Sequence, residues 1–368
     1  MAARGAFVLP TPPRMSDGAR GVRIRQVDPF ADRERILGVL SRSLPAAAGA
    51  ARQDWLYRHN PCGPALVWLA EDAETGQAVG TSAAQPRRVW VEGRDVLALN
   101  LSDFAVDAGY RFLGPALQLL RATLEPVRDG RFAFSYDHPN ETMLAPYARV
   151  GGRVVAPMRR FVRVLDASPL LRRRLGGGVL TRVAGGVANA VLRVRDRLAR
   201  PRSSHRFELL RGPFGDEFDR LDERLSRLAP VTGRRSAAHL RWRYGLHPVW
   251  PHETLCARDA GGLVGFAAFR FPPPGDVLAI TELHAPAGGK LRAALVAELA
   301  RIGRERGARA LGTQALEGSP AAPVLRELGF SARETGTGPV VFHAPESALA
   351  RFVDDPAAWW MLEGDRDV

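Results

Sequence analysis

The sequence predicts an α/β layer architecture built as two similar halves, and three observations carry that prediction. A hairpin signature occurs twice. "DWLYRHNPCGPALVWLAEDAETGQAVGTSAAQPRRV" (54–89) and "HLRWRYGLHPVWPHETLCARDAGGLVGFAAFRF" (239–271) each hold a Trp/Tyr-rich basic segment, a proline, a strand pattern, a glycine turn and a second strand. A short helix that stops at a glycine before a strand also occurs twice, in "NETMLAPYARVGGRVV" (140–155) and "SPAAPVLRELGFSARE" (319–334). Finally, "AVDAGYRFLGPALQLL" (105–120) runs from a strand through a turn directly into an apolar helix.

Length and composition bound the rest. The chain has 368 residues, enough for two domains that each bury a core, and 46% of them are apolar. No apolar run reaches the roughly 18 residues of a membrane span. Residues 1–20 read as a flexible arm, since their apolar stretch is too short for a signal peptide. Cys62 and Cys256 form no disulfide framework and read as ordinary buried thiols in a reducing cytoplasm. The net charge is +13, yet Lys290 is the sole lysine and the arginines are spread along an Ala/Gly/Pro-rich chain. That pattern is a GC-rich compositional bias. It argues against a nucleic-acid partner and for attraction of an anionic cofactor. Between the halves, residues 166–205 alternate Leu and Val with arginines at helical spacing. They read as a basic connecting helix with its apolar face packed on the domains, in preference to one lying on a membrane surface.

At the 105–120 junction the elements make an anion site. The first N–H groups of the helix lack partners within it, and the helix dipole adds positive potential. Gly114 admits close approach of a diphosphate, Ala116 is small, and Arg111 offers a charged fork. Pro115 removes one donor but suits a first helical turn.

With these residues in view, the first half resembles the GNAT superfamily of acyl-CoA N-acyltransferases. "LSDFAVDAGYRFLGPALQLL" is similar to its strand, Arg-x-x-Gly-x-Ala phosphate loop and helix, and "FSYDHPNETMLAPYARVGGRVV" to its next strand, Asn, helix and Tyr four residues before a Gly. The second half resembles the same fold. The resemblance implies two tandem GNAT-like domains, each a mixed, mostly antiparallel sheet flanked by helices. An N-terminal acyl-CoA-binding domain spans 21–165, the linker 166–205, a degenerate domain 206–345 and a docked tail 346–368. It implies acetyl-CoA or another acyl-CoA as co-substrate, held by Val106, Arg111, Phe112, Leu113, Gly114, Ala116 and Asn140, and no metal. The acceptor would be a small-molecule, sugar or protein amine that attacks the thioester directly. Tyr147 would protonate the thiolate and Asp103 would act as base. Asn140 has a second reading as a helix cap, and Asp137-His138 reads as a structural pair. The second half lacks the loop spacing around Gly288-Gly289-Lys290 and has Leu325 in the place of Tyr147. It is expected to be a scaffold or a wall of the acceptor site. Two alternatives stand beside this reading: a non-catalytic tandem protein, or one using aminoacyl-tRNA in a cell-envelope or polysaccharide pathway. Trp359 and Trp360 are expected to dock the tail, bringing Asp365 and Asp367 near a cleft to meet a cationic acceptor.

Overall fold

The computed structural model describes residues 21–111, 113–199, 205–288, 290–344 and 346–366; the arm expected over 1–20 lies outside them. Among the described residues two sheets form the frame. The first runs in the order β1 (Val22–Val27), β2 (Leu66–Asp72), β3 (Ala78–Val91), β4 (Arg94–Val106), β5 (Ser135–Asp137), β15 (Val340–Phe342) and β6 (Arg153–Val154). The second runs β8 (Arg206–Leu209), β10 (Glu253–Asp259), β11 (Gly262–Arg270), β12 (Val277–His284), β13 (Ala310–Leu316), β7 (Met158–Val164) and β14 (Ser331–Gly336). Along both paths the pairs are antiparallel except β4–β5 and β12–β13, which are parallel.

Strand alternation decides which helix covers which face. Val67 and Leu69 of β2 join Ile36, Val39 and Leu40 of the helix Arg33–Ser43. Trp68, on the opposite face, joins Leu119, Leu120 and Leu124 of the helix Leu113–Arg128. In the second half Leu278 and Ile280 of β12 pack on Leu295, Val296 and Leu299 of the helix Lys290–Glu305. The two glycine stops are left-handed as their position requires: φ is +93° at Gly151 and +83° at Gly329.

The halves do not divide where the sequence placed their boundaries. β7, assigned by sequence to the first domain, lies between β13 and β14 of the second sheet; β15, assigned to the second domain, lies between β5 and β6 of the first. Each half gives one strand to the other's sheet, at the same place in each. A second symmetric contact joins them. Trp55 and Trp242 stack with ring centroids 4.9 Å apart. Each indole Nε1–H donates to the other's backbone carbonyl, at 2.7 and 2.8 Å.

The tail docks by strand pairing. β16 (Trp359–Trp360) lies parallel to β9 (Val231–Gly233), which pairs with β3 of the first sheet. Both tryptophans are buried. Asp365 is buried at the edge of a small cavity that it lines with Asn60, Gln85, His239 and Arg243, and its carboxylate accepts from Arg235 Nη2 at 2.7 Å and from the Leu362 amide at 3.2 Å. Asp367 lies outside the described residues. The linker also departs from expectation. It forms two helices, Ser168–Leu175 and Val179–Ala199, and the valines of the second are exposed instead of packed on the domains. Cys256 is buried, and burial pushes its thiol up to about 12, whereas Cys62 is only half-buried.

Candidate active site

The junction from β4 into the helix Leu113–Arg128 is held from both sides. The Asp107 amide donates to the Val79 carbonyl at 2.8 Å, and the Asp107 carboxylate accepts from Ser43 Oγ at 2.7 Å and Arg42 Nη2 at 2.8 Å. One tight turn, Ala108–Tyr110, follows, and the Tyr110 hydroxyl donates to Asp72. Arg111 is exposed, and its Nε donates to the Val106 carbonyl at 3.0 Å, which ties the guanidinium to the end of β4. Leu113 opens the helix, Gly114 is exposed in its first turn, Pro115 is buried and Ala116 half-buried. Phe112 lies outside the described residues. Val106, Arg111, Leu113, Gly114 and Ala116 therefore meet at one helix N-terminus, where partnerless N–H groups and the dipole favour an anion.

Beside this junction the first sheet opens. β4 and β5 are paired only at Leu99–Ser135 and Asn100–Tyr136. Beyond Asn100 β4 continues to Val106, while β5 ends at Asp137 and turns its other edge to β15. Two parallel strands that part after two pairs leave a wedge with backbone groups on its β4 side. An extended amide-bearing ligand can hydrogen-bond there as an added strand does. The wedge leads toward the anion site at the helix N-terminus.

The Tyr147 side chain stands beside β5. It is buried on the helix Glu141–Arg149, and its hydroxyl donates to Asp137. The next residue, His138, is buried, and neither of its ring nitrogens makes a hydrogen bond within the protein. Burial, with Arg366 and Arg243 nearby, holds its pKa well below the ordinary 6.5, so the ring is neutral at physiological pH. Sequence reasoning took Asp137-His138 for a structural pair. Tyr147, ten residues after Asp137 in sequence, is one helix away in space, and no local signal announces that contact.

Asp103 stands differently from the base expected of it. It occupies a bulge in β4, with φ at +53°. Arg52 grips both its oxygens at 3.0 Å, and the Tyr57 hydroxyl donates to Oδ2 at 2.9 Å. The second half repeats this device. Glu282 on β12 accepts from the Tyr244 hydroxyl at 2.9 Å and from Arg235 Nε at 3.2 Å. A carboxylate–tyrosine–arginine tie thus occurs in both halves, including the one without the loop chemistry. Asn140 sits at the N-cap of the helix Glu141–Arg149 but accepts no backbone N–H there; its Oδ1 takes the Thr142 hydroxyl at 2.6 Å.

The corresponding junction of the second half has Gly288 with φ at +105° and Lys290 at the start of the helix. Gly289 lies outside the described residues, and Leu325 is buried in the core. Among the described residues no cluster of three metal-ligating side chains occurs, and no helix is long and apolar enough to cross a membrane.

No family model matches the chain, and no curated protein matches it by sequence. Solved structures do match by shape. A GCN5-related N-acetyltransferase from Anabaena variabilis superposes with a TM-score of 0.61 at 12% identity, covering 87% of this chain and 72% of that one. Eis1 from Mycobacterium abscessus gives 0.56 at 15% identity, covering 87% and 73%. The N-myristoyltransferase of Saccharomyces cerevisiae, solved with bound myristoyl-CoA, gives 0.55 at 12% identity, covering 90% and 81%. The fold is that of the GCN5-related N-acetyltransferases, and two of these three structural neighbours are named as acyltransferases, one an N-acetyltransferase and one an N-myristoyltransferase.

Proposed function

We propose that the chain is an N-acyltransferase that moves an acyl group, acetyl in the simplest case, from acyl-CoA to an amine. The observation that carries this reading is the parting of β4 from β5 beside a helix N-terminus bearing Arg111 and Gly114. The diphosphate would lie on the backbone of residues 113–116 with Arg111 beside it. The pantetheine amides would add to the open edge of β4 below Val106, and Asn140 would offer its amide to the cofactor. The amine nitrogen attacks the thioester carbonyl carbon, the C–S bond breaks, and the thiolate takes a proton from the Tyr147 hydroxyl. His138, neutral and without a partner, takes the proton that the amine loses. Asp103 keeps the bulge in β4 and transfers no proton. The first half is the working half and the second a scaffold and a wall of the acceptor site. A cytoplasmic location suits an acyl-CoA donor.

Calorimetric titration of the purified chain with acetyl-CoA tests the reading, with Gly114→Glu as the control. The added carboxylate would stand where the diphosphate lies, so the variant should fold and lose all measurable affinity. Equal affinity in the variant and the parent would place the cofactor elsewhere.

A further inference from the structure

The helix Val179–Ala199 turns its apolar stripe away from the protein. Val179, Val183, Val187, Val191 and Val194 recur at i, i+4, i+8, i+12 and i+15, one continuous face, and are 51–67% exposed; Leu180 beside them is 86% exposed. The face turned inward is small and polar. Thr181 and Asp196 are buried, and Gly185 lies so close to Ser168 that a Cβ would come within 3.0 Å of its hydroxyl. Asn189 Nδ2 donates to Asp166 at 2.7 Å and to Ser168 Oγ at 3.0 Å. Asp196 accepts from Arg163 Nη2 at 2.5 Å and pairs with Arg304. Rolling the helix to bury its valines would pull Asp196 off two arginines. The exposure is therefore fixed by the fold. A contiguous apolar face on the outside of a soluble chain calls for a partner.

Charge says which partner. Residues 168–199 carry seven arginines against one acidic residue, Asp196, and that one is used inward. Arg182, Arg193 and Arg197 are exposed along the valine helix, and Arg172, Arg173 and Arg174 are exposed on the preceding helix beside exposed Leu170 and Leu175. Two copies meeting through this face would set arginines against arginines. An acidic lipid surface meets both features at once: the valines and leucines enter the acyl boundary, and the arginines reach outward to phosphates. We infer that the helices Ser168–Leu175 and Val179–Ala199 form a docking surface for an anionic lipid bilayer, on which the protein lies without spanning it.

Co-sedimentation of the full chain with vesicles decides this. Vesicles of mixed phosphatidylglycerol and phosphatidylcholine should bind it at least about tenfold more than vesicles of phosphatidylcholine alone, and salt should weaken the binding. Val183→Asp with Val187→Asp should lower partition to the anionic vesicles by about tenfold or more while the melting temperature is unchanged, because both side chains are exposed in the folded chain. Equal binding to the two vesicle types, binding to neither, or an unaffected double variant would each overturn the inference. So would concentration-dependent self-association, measured by sedimentation velocity, that the same double variant abolishes; the stripe would then belong to a second copy of the chain.

Discussion

A buried phenol that donates to a carboxylate can be an acid held ready or a strut. Tyr147 and Asp137 allow the two duties to be separated, because they predict different losses. If Tyr147 protonates the departing thiolate, Tyr147→Phe should lower kcat about 10²–10⁴-fold with acetyl-CoA affinity intact. If it only braces β5, the same change should cost about 1.5–3 kcal/mol of stability, the worth of a hydrogen bond to a charged group, and leave kcat alone. Stopped-flow turnover and denaturant unfolding of one variant settle the choice. His138→Gln tests the base: kcat should fall by about 10² or more. In the parent the rate should hold as pH drops through 6.5, since the His138 ring stays neutral well below that value. A rate that falls with an apparent pKa near 6.5 would exclude His138. Asp103 should behave in the opposite way. Asp103→Asn leaves Arg52 buried without its carboxylate and should cost about 3–5 kcal/mol of stability, with kcat per folded molecule close to the parent's.

At the scale of elements, the exchange of β7 and β15 makes each half depend on the other. A fragment ending near residue 200 would lack β15, leaving β5 and β6 without the strand between them, and would carry β7 without β13 or β14. Open edges of that kind pair with other chains. Such a fragment should therefore aggregate or remain unfolded, as judged by size-exclusion chromatography and circular dichroism; a soluble, cooperatively melting fragment would refute the dependence. Removing residues 357–368 should be milder but measurable, because β16 and two buried tryptophans leave together and Arg235 loses one of its two carboxylate partners. The exchange was not legible in the sequence. The repeat, both hairpins and both glycine stops were legible, because period and turn chemistry are local. The partner chosen by Met158–Val164 is fixed by contacts more than 140 residues away, as in Arg163–Leu311 and Phe161–Thr313. The site divides in the same way. The Arg111–Gly114 junction is local and was legible. The Arg52–Asp103–Tyr57 tie joins residues about 50 positions apart, and the only clue to it was that Tyr57 and Tyr244 occupy corresponding places.

At the scale of the whole molecule, folding takes several histidines out of water in the company of arginines. His138, His239 and His284 are buried, and burial first, then nearby arginines, hold all three well below their ordinary 6.5; His247 is lowered to about 3 and His252 to about 4. In the unfolded chain these rings take up protons near pH 6.5, whereas in the folded chain they refuse them. The stabilisation is therefore complete above 6.5 and is lost as pH falls below it, because the unfolded state then binds more protons. Each fully buried ring gives up about 1.4 kcal/mol per pH unit once well below that value, so His138, His239 and His284 together remove about 4 kcal/mol between pH 7.5 and 5.5. Against a usual stability of about 5–15 kcal/mol this is a large fraction. Exposed carboxylates titrate lower, whereas burial raises Glu282 and Asp222, so a single-histidine variant is needed to read the imidazole share of the fall. Differential scanning fluorimetry should show the melting temperature falling by about 5–10 °C across the same pH range. His284→Phe keeps a ring beside Phe266, 5.5 Å away in the parent, and removes one titrating group. The fall should shrink by about a third of the part carried by the three fully buried rings. A flat melting temperature in the parent, or an undiminished fall in the variant, would show that buried imidazoles do not set the acid limit of this fold.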